Sequence, residues 1–333
     1  MAATTSHHRG AKKAIVVLVA LAVLLGGAAV GATLYLQHRL DAGIDRFGDP
    51  FSSLTSRPAV QSTEATAPVN FLVLGSDSRV SAGDPADWQR GAQRTDAIMV
   101  AQLNGDRDKL VAMSLPRDAW VEVPGHGEHK LNAAFSLGGP SLTVSTVEQL
   151  TGILIDHVVI ADFESFASVT DVVGGVSIEL DRPLEVGDVL LPAGAHLLSG
   201  AEALAYVRQR DRLPGGDLAR IERQQVWMRS VMQAVHREGV LVNPGKLATF
   251  LETVGETLAV DDDLTVHRMR NLAFSAVDLR ARDLVFTTAP ILGTGRSPDG
   301  TQSIVRLDEV AFAELCAAFA SGTAAEHLSL TTR

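Results

Sequence analysis

The sequence contains a single cysteine, Cys316, so no internal disulfide can form in this chain of 333 residues. Cys316 shares one face of a helix predicted over 308–320 with Phe312, Leu315 and Phe319, which indicates a small buried side chain rather than a reactive thiol. The patterns GxxxxGK[ST], GxGxxG and GxSxG are all absent. Neither a nucleotide-binding loop nor a serine-hydrolase nucleophile is therefore indicated.

Two further absences narrow the choice of partner. No basic stretch interleaved with aromatic residues is present, which argues against nucleic acid. His126 and His129 lie three residues apart in a glycine-rich loop, and we interpret this spacing as a surface loop rather than a zinc site.

Residues 14–36 lack any charge and form an apolar run long enough to cross a hydrocarbon core about 30 Å thick. Arg9, Lys12 and Lys13 precede this run, so residues 1–13 are predicted to stay in the cytoplasm and the rest to lie outside. The alternative is a cleaved signal peptide, but its apolar core would be only about 7–15 residues long. The sequence thus predicts a cell-membrane protein with one transmembrane anchor.

The remainder of the chain is acidic. Three of the 29 basic residues lie in the tail, which leaves 26 against 39 acidic residues and a net charge near −13. A general polyanion-binding protein is usually basic, so any anion site here must be a local concentration of cations.

The pattern of apolar runs divides the chain. Residues 37–68 are rich in Ser, Thr and Pro and read as a stalk, and folding is expected to begin at Val69. Short apolar runs alternate with helical spacings over 69–333, which predicts an α/β domain in layers. Two of the predicted helices begin near Ser199 and Asp217, and the second runs to about Arg237.

Charged residues concentrate at the predicted strand ends, where α/β folds commonly place their sites. Asp77 follows one strand, Asp96 precedes the next, and Arg117 follows a third. Two carboxylates without histidine or cysteine suit a hard cation, most plausibly Mg²⁺. Turn capping and surface ion pairs are the alternative for each segment taken singly.

Arginines are also clustered further along the chain. Residues 208–223 hold five arginines and no lysine, and guanidinium groups bind phosphate oxygens in pairs. On the predicted helix, Arg220, Arg223, Gln224 and Trp227 share one face away from the apolar stripe. The cluster predicts a site for a multiply charged anion, and a solvated basic face is the alternative.

Seven sequence blocks, taken together and in order over about 70–235, are similar to one family. They are NFLVLGSDSR (70–79), RTDAIMV (94–100), SLPRD (114–118), KLNAAFSLGG (130–139), DVVGGVSIEL (171–180), LLPAGAHLLSGAEALAYVRQRD (190–211) and GGDLARIERQQ (215–225). With these blocks the sequence resembles the LytR–CpsA–Psr family of cell-wall phosphotransferases, and its composition looks actinobacterial.

The resemblance implies a fold, a reaction and a set of roles. The fold would be a three-layer αβα sandwich around a central mixed sheet, and residues 69–333 would form the extracytoplasmic catalytic domain. The reaction would move a glycopolymer from a polyprenyl-pyrophosphate carrier to peptidoglycan, with Mg²⁺ held by Asp77 and Asp96. The residues that would grip the pyrophosphate and support catalysis are Arg79, Arg94, Arg117, Lys130, Arg208, Arg210, Arg220, Arg223 and Gln224.

Other functions remain open from the sequence. A module that binds polyprenyl phosphates without turnover would need the arginines but not the carboxylate pair. A hydrolase of the carrier pyrophosphate would use water in place of the glycan acceptor. A role in transcriptional attenuation is disfavoured by the predicted location outside the cell. The sequence does not name the glycopolymer.

Overall fold

The computed structural model describes residues 44–59, 67–76, 95–162, 165–186, 189–208, 217–240 and 243–331. These residues belong to one compact unit, Ile44–Arg333. The predicted anchor, residues 14–36, lies outside the described ranges. Within those ranges, every helix is too short or too polar to cross a bilayer.

The described elements alternate between strands and helices along the chain. The strands are β1 (Asp45–Arg46), β2 (Val69–Ser76), β3 (Thr95–Leu103), β4 (Leu110–Leu115), β5 (Trp120–Val123), β6 (Gly127–Lys130), β7 (His157–Asp162), β8 (Val176–Leu180), β9 (Leu184–Val186), β10 (Val189–Leu191), β11 (Gly194–Leu198), β12 (Leu258–Val260), β13 (Leu284–Thr288), β14 (Ile291–Arg296) and β15 (Ser303–Leu307). The helices are α1 (Ala133–Thr151), α2 (Ser165–Val172), α3 (Gly200–Arg208), α4 (Asp217–Arg237), α5 (Pro244–Gly255), α6 (Val266–Ser275), α7 (Glu309–Ala320) and α8 (Ala324–Thr331).

Seven strands form a central mixed sheet in the order β1-β12-β7-β2-β3-β4-β13. The β2–β7, β4–β13 and β1–β12 pairs are parallel, whereas β2–β3, β3–β4 and β7–β12 are antiparallel. The predicted α/β class and central mixed sheet are therefore confirmed. The other strands form four two-stranded sheets, including the hairpins β5–β6 and β14–β15.

Side chains alternate between the two faces of the sheet, as the period of a strand requires. Leu72 and Leu74 of β2 face the larger core, which includes Phe135 of α1 and Phe319 of α7. Phe71 and Val73 face the opposite side, where Met228 of α4 packs against the sheet. Helices thus cover both faces of the sheet, in agreement with a layered fold.

Cys316 lies within the larger core, on α7, and is 4% exposed. Burial raises the pKa of its thiol to about 12. The thiol therefore stays protonated at neutral pH, which agrees with its prediction as a buried apolar side chain.

Part of the predicted stalk belongs to the domain. Residues 45 and 46 pair with Ala259 and Val260 of β12, and the Phe47 amide donates to the Val260 carbonyl at 3.3 Å. Phe47 is 4% exposed in the larger core. The fold therefore begins before residue 69, because a strand of two residues leaves no apolar pattern that a reading of the sequence can detect.

A buried ion pair fastens the same segment to α1. Arg57 Nε and Nη2 donate to the Glu148 carboxylate at distances of 2.7–3.2 Å, and the Ile155 amide donates to Glu148 Oε1 at 2.9 Å. The Glu148 side chain is 1% exposed, and the Arg57 guanidinium also stacks over the Phe51 ring at 4.5 Å. The pair joins residues 51–59 to the end of α1.

We expect Arg57→Ala to destabilise the domain by about 2–4 kcal/mol, because it leaves the Glu148 charge buried without its cation. Arg282→Ala is the matched control, since the Arg282 side chain is 84% exposed. That change should cost less than about 0.5 kcal/mol. Urea unfolding of residues 44–333 measures both, and equal costs for the two variants would contradict the role given to Arg57.

Candidate functional site

The register of β2, β3 and β4 brings three motif segments to one end of the sheet. Ser76 at the end of β2 pairs with Thr95 at the start of β3. Leu115 at the end of β4 pairs with Ile98 of the adjacent strand β3. Arg117 and Asp96 each lie two residues beyond this pair, on the same side of it. The strand ends at Ser76, Thr95 and Leu115, which adjoin the three sequence motifs, therefore lie at the same end of the sheet.

Of the two predicted metal carboxylates, Asp96 is described only through its backbone, and Asp77 is not described. The register shifts between Gly75, which pairs with Ala97, and Ser76, which pairs with Thr95, so Asp96 is the extra residue of the bulge. Asp77 directly follows Ser76 and lies outside the described residues, as do Arg79 and Arg94. Bulges often re-aim a side chain next to a site, and this one involves the predicted carboxylate position itself.

Arg117 and Lys130 line one cavity of about 430 Å³, which we call the basic cavity. Asp118, His129, Asn132 and Gln302 also contribute to its wall. Lys130 Nζ contacts Asp118 Oδ1 at 3.0 Å, and Arg117 Nε lies 3.8 Å from Asp118 Oδ2. The Asp118 carboxylate therefore lies between Arg117 and Lys130, two side chains that are predicted to bind the same anion.

Backbone hydrogen bonds fix the loop that carries Arg117. The Asn132 amide donates to the Arg117 carbonyl at 3.0 Å, and the Leu131 amide donates to the Ala119 carbonyl at 2.8 Å. The Val305 amide donates to the Asp118 carbonyl at 2.9 Å, so β15 supports the same loop. Arg117 and Lys130, thirteen positions apart in sequence, are thus held side by side.

Helix α4 reaches the same end of the sheet through Gln225. Its Nε2 donates to Ser114 Oγ at 3.2 Å and to the Thr287 carbonyl at 3.3 Å. Ser114 lies in β4 just before the loop with Arg117, so this contact positions α4 against that loop. The motif GGDLARIERQQ contains Gln225, but its role could not be separated from that of Gln224 by sequence alone.

The polar face predicted for α4 is largely buried. Arg220 is 4% exposed, and Gln224 is also buried. Trp227, predicted on the same face, belongs to a second apolar core and donates from Nε1 to Thr170 Oγ1 at 2.9 Å. The alternative of a solvated basic face is therefore wrong for Arg220, Gln224 and Trp227, because all three side chains are buried.

Arg223 is tied to α3 rather than extended into solvent. Its Nη1 donates to the Tyr206 carbonyl at 3.2 Å, and its guanidinium lies 5.1 Å from the Tyr206 ring centroid. Burial raises the pKa of the Tyr206 phenol and lowers the pKa of Arg223, while Tyr206 acts on Arg223 in the opposite direction. Arg208 lies two residues beyond Tyr206 at the exposed end of α3, and Arg210 lies outside the described residues.

Close contact between α2 and the first residue of α3 fixes how α3 packs. The Gly200 amide donates to Asp171 Oδ1 at 2.7 Å, and a Cβ at position 200 would lie 2.3 Å from the Ala167 carbonyl oxygen. Only glycine fits this approach. Ser199 N and Oγ both donate to Glu202 Oε2 at 2.8 Å, which confirms the helix start predicted there and lowers the pKa of Glu202.

Three contributors were absent from the predicted set of site residues. They are the Asp118 carboxylate, Tyr206 and Gln225. Asp118 is the last residue of the SLPRD block, so its position in the motif was a usable signal. Tyr206 acts through its backbone carbonyl and its ring, and no sequence pattern indicates such a role. Across the described residues, no cluster of three or more His, Cys, Asp or Glu side chains suits a metal ion.

The chain is thus a mixed α/β protein with a basic cavity, lined by Arg117 and Lys130, at one end of its central sheet. A sequence model described as the LytR_cpsA_psr family matches residues 48–311. The chain belongs to the LytR–CpsA–Psr family.

Individual relatives are consistent with this assignment. The cell wall biosynthesis protein LcpA of Corynebacterium glutamicum is 30% identical over 284 residues, which cover 73% of this chain and 54% of LcpA. TagU of Oceanobacillus iheyensis, a polyisoprenyl-teichoic acid–peptidoglycan teichoic acid transferase, is 29% identical over 88% of both chains. The chain thus spans about half the length of LcpA and most of TagU.

Solved structures share the fold. A LytR-Csp2A-Psr enzyme from Actinomyces oris superposes with a TM-score of 0.62 at 24% identity, covering 83% of this chain and 96% of that one. TagV of B. subtilis gives a TM-score of 0.63 at 24% identity, covering 78% of this chain and 98% of that one. At this identity the likeness establishes the fold alone.

We expect Lys130→Gln to weaken the binding of inorganic pyrophosphate about tenfold, because it removes a charge-assisted contact. Lys246→Gln is the matched control, since Lys246 is half exposed and contacts Glu238 rather than the basic cavity. Isothermal titration calorimetry at fixed ionic strength measures both affinities. An unchanged affinity for Lys130→Gln would remove this residue from the anion site.

Proposed function

We propose that this protein is a phosphotransferase that moves a glycopolymer from a polyprenyl-pyrophosphate carrier to peptidoglycan. The observation that carries the proposal is that the ends of β2 and β4 and the start of β3 lie together, beside the cavity that holds Arg117 and Lys130. Membership of the family supports it, as does the similarity to TagU, a polyisoprenyl-teichoic acid–peptidoglycan teichoic acid transferase.

The proposed reaction is a displacement at phosphorus. An acceptor hydroxyl oxygen forms a bond to the phosphorus that carries the glycan, and the bond from that phosphorus to the bridging pyrophosphate oxygen breaks. Polyprenyl phosphate leaves with the bridging oxygen, the hydroxyl proton is released, and a phosphodiester joins glycan and peptidoglycan. Such a reaction needs positioning and charge stabilisation more than covalent catalysis.

The residues of this chain supply the charge stabilisation. Arg117 and Lys130 bind oxygens of the pyrophosphate, and Asp118 keeps their side chains in place through contacts at 3.8 and 3.0 Å. Arg208 and Arg210 are proposed to bind the same group from the end of α3, together with Arg79 and Arg94. Arg220, Arg223 and Gln224 support that side of the site from α4.

Asp77 and Asp96 are proposed to hold Mg²⁺. Asp96 lies at the bulge of β3, Asp77 directly follows the last residue of β2 in the sequence, and oxygen ligands suit this cation. When bound, the cation would neutralise charge that develops on the phosphate oxygens.

The prenyl chain is proposed to lie against the second face of the sheet. Phe71, Val73 and Phe286 are partly buried there, next to Met228 of α4. Val73 lies three residues before Ser76, the last residue of β2, and an apolar surface near a basic cavity suits a ligand with one charged and one apolar part.

We expect the wild-type protein to form a phosphodiester-linked adduct from polyprenyl-pyrophosphate glycan, peptidoglycan fragments and Mg²⁺. Asp77→Asn, Asp96→Asn and Arg208→Ala should each lower the rate at least a hundredfold, since each removes charge from the transition-state site. Asp262→Asn, at an exposed position beside β12, is the matched control and should keep full activity. Mass spectrometry detects the adduct.

Other outcomes of the same assay identify other functions. Full transfer by both aspartate variants would overturn the metal-dependent reaction. Released phosphorylated glycan without an adduct would favour the hydrolase. Tight carrier binding without either product, across several donors, would favour a binding module.

The proposed location is the outer side of the cell membrane, with residues 14–36 as a single anchor and residues 1–13 in the cytoplasm. The uncharged run and the basic residues before it support this. We expect the full chain to resist carbonate extraction from membranes and a variant without residues 1–36 to be released. Release of the full chain by carbonate would contradict the anchor.

A further inference from the structure

A second and larger cavity of about 900 Å³, which we call the wide cavity, lies between α7 and the hairpins β5–β6 and β14–β15. Its inner wall is apolar, with Val121, Leu150, Ile304, Leu307 and Phe312 among the lining residues. None of the predicted site residues lines it. Neither the fold nor the proposed handling of the carrier requires an opening of this size.

Four charged side chains line the wide cavity, and all four are exposed. They are Glu128 of β6, Arg296 of β14, Arg306 of β15 and Glu309 of α7. None of them forms an ion pair or hydrogen bond with any residue in the described ranges. Arg306 pairs with Gly293 in the β14–β15 ladder, so no side chain stands directly opposite it. Two cations and two anions are thus available to a ligand.

Trp120 adds a flat apolar surface to the wide cavity. Its side chain is partly buried, and its indole Nε1 is enclosed without a hydrogen-bond partner among the described residues. The part of the ring that remains accessible is therefore carbon. The C–H face of a pyranose ring packs well on such a surface, because both are apolar and flat.

The wide cavity adjoins the basic cavity along two separate elements. Trp120 of the wide cavity pairs directly with Lys130 of the basic cavity in the β5–β6 ladder. Pro298 lines the wide cavity and Gln302 lines the basic cavity. Both lie in one turn, which a hydrogen bond from the Ser297 amide to the Gln302 carbonyl closes at 3.0 Å. Directly paired strand residues lie about 5 Å apart. The two cavities are therefore lined by neighbouring residues of the same hairpins.

We propose that the wide cavity binds the peptidoglycan acceptor through a muropeptide, a glycan unit that carries a peptide with carboxylates and an ammonium group. The inference rests on the proposed function and gives its acceptor a location. Trp120 packs on a sugar ring, Arg296 and Arg306 bind peptide carboxylates, and Glu128 and Glu309 bind the ammonium group. A prenyl chain fits less well, because four charged groups would lose water beneath it.

The binding test uses the full chain in detergent micelles and a soluble disaccharide muropeptide with a free diamino-acid side chain. We expect Arg296→Gln/Arg306→Gln to weaken muropeptide binding at least tenfold. Arg268→Gln/Arg282→Gln removes the same charge from exposed positions outside the wide cavity and should bind as the wild type does. A chitin tetrasaccharide without peptide should bind at least tenfold more weakly than the muropeptide. Equal binding by the two double variants, or no muropeptide binding by the wild type, would overturn the proposal.

A kinetic arm separates failure of this inference from failure of the proposed function. In the transfer assay, Trp120→Leu and Arg296→Gln/Arg306→Gln should raise the KM for the acceptor, with kcat and the KM for the lipid donor unchanged. Normal transfer with an unchanged acceptor KM in both variants would overturn the acceptor site alone. Absence of transfer by the wild type would overturn the proposed function, and muropeptide binding would still report on the cavity.

Discussion

The antiparallel register of β2, β3 and β4 is the constraint on which the candidate site depends. Ser76 faces Thr95, and Ile98 faces Leu115, so segments separated by tens of residues end together. A slip of one residue would turn every side chain of a strand to the opposite face. A slip would move Leu72 and Leu74 out of the larger core, where both are fully buried, to the face where Phe71 and Val73 are only partly buried. The packing of the core therefore fixes the geometry of the charged end.

Helix α4 shows how an acidic domain concentrates cations at one place. Gln225 binds strand ends on one side, while Trp227 packs into the second core on another. Arg220 and Arg223 are carried with the helix and cannot spread over the surface. Because these guanidinium groups are largely buried, their attraction for a nearby anion is stronger than in water and is screened little by salt. A net charge near −13 over most of the chain is therefore compatible with the proposed anion site.

Much of the fold was predictable because its signals are local. The apolar run at 70–75 and the periodic pattern at 217–237 gave β2 and α4 close to their observed bounds. The strand-end positions of Asp96 and Arg117 were equally readable. Strand β1 was missed because its two residues depend on pairing with β12, more than two hundred residues later. The burial of Trp227 was missed because its neighbour Thr170 lies on another helix. Such contacts arise from tertiary packing and leave no period in the sequence.

The position of β1 at the outer side of β12 has a consequence for solubility. Without residues 45–46, β12 would become the end of the sheet, and the amide and carbonyl groups of Leu258–Val260 would be free to pair with another chain. Phe47 would leave an apolar slot beside them. A fragment that begins at Val69 would thus expose β12 as an edge strand, and it would tend to aggregate whether or not its candidate site is intact. Residues 45–47 therefore protect the edge of the sheet from pairing with a second molecule.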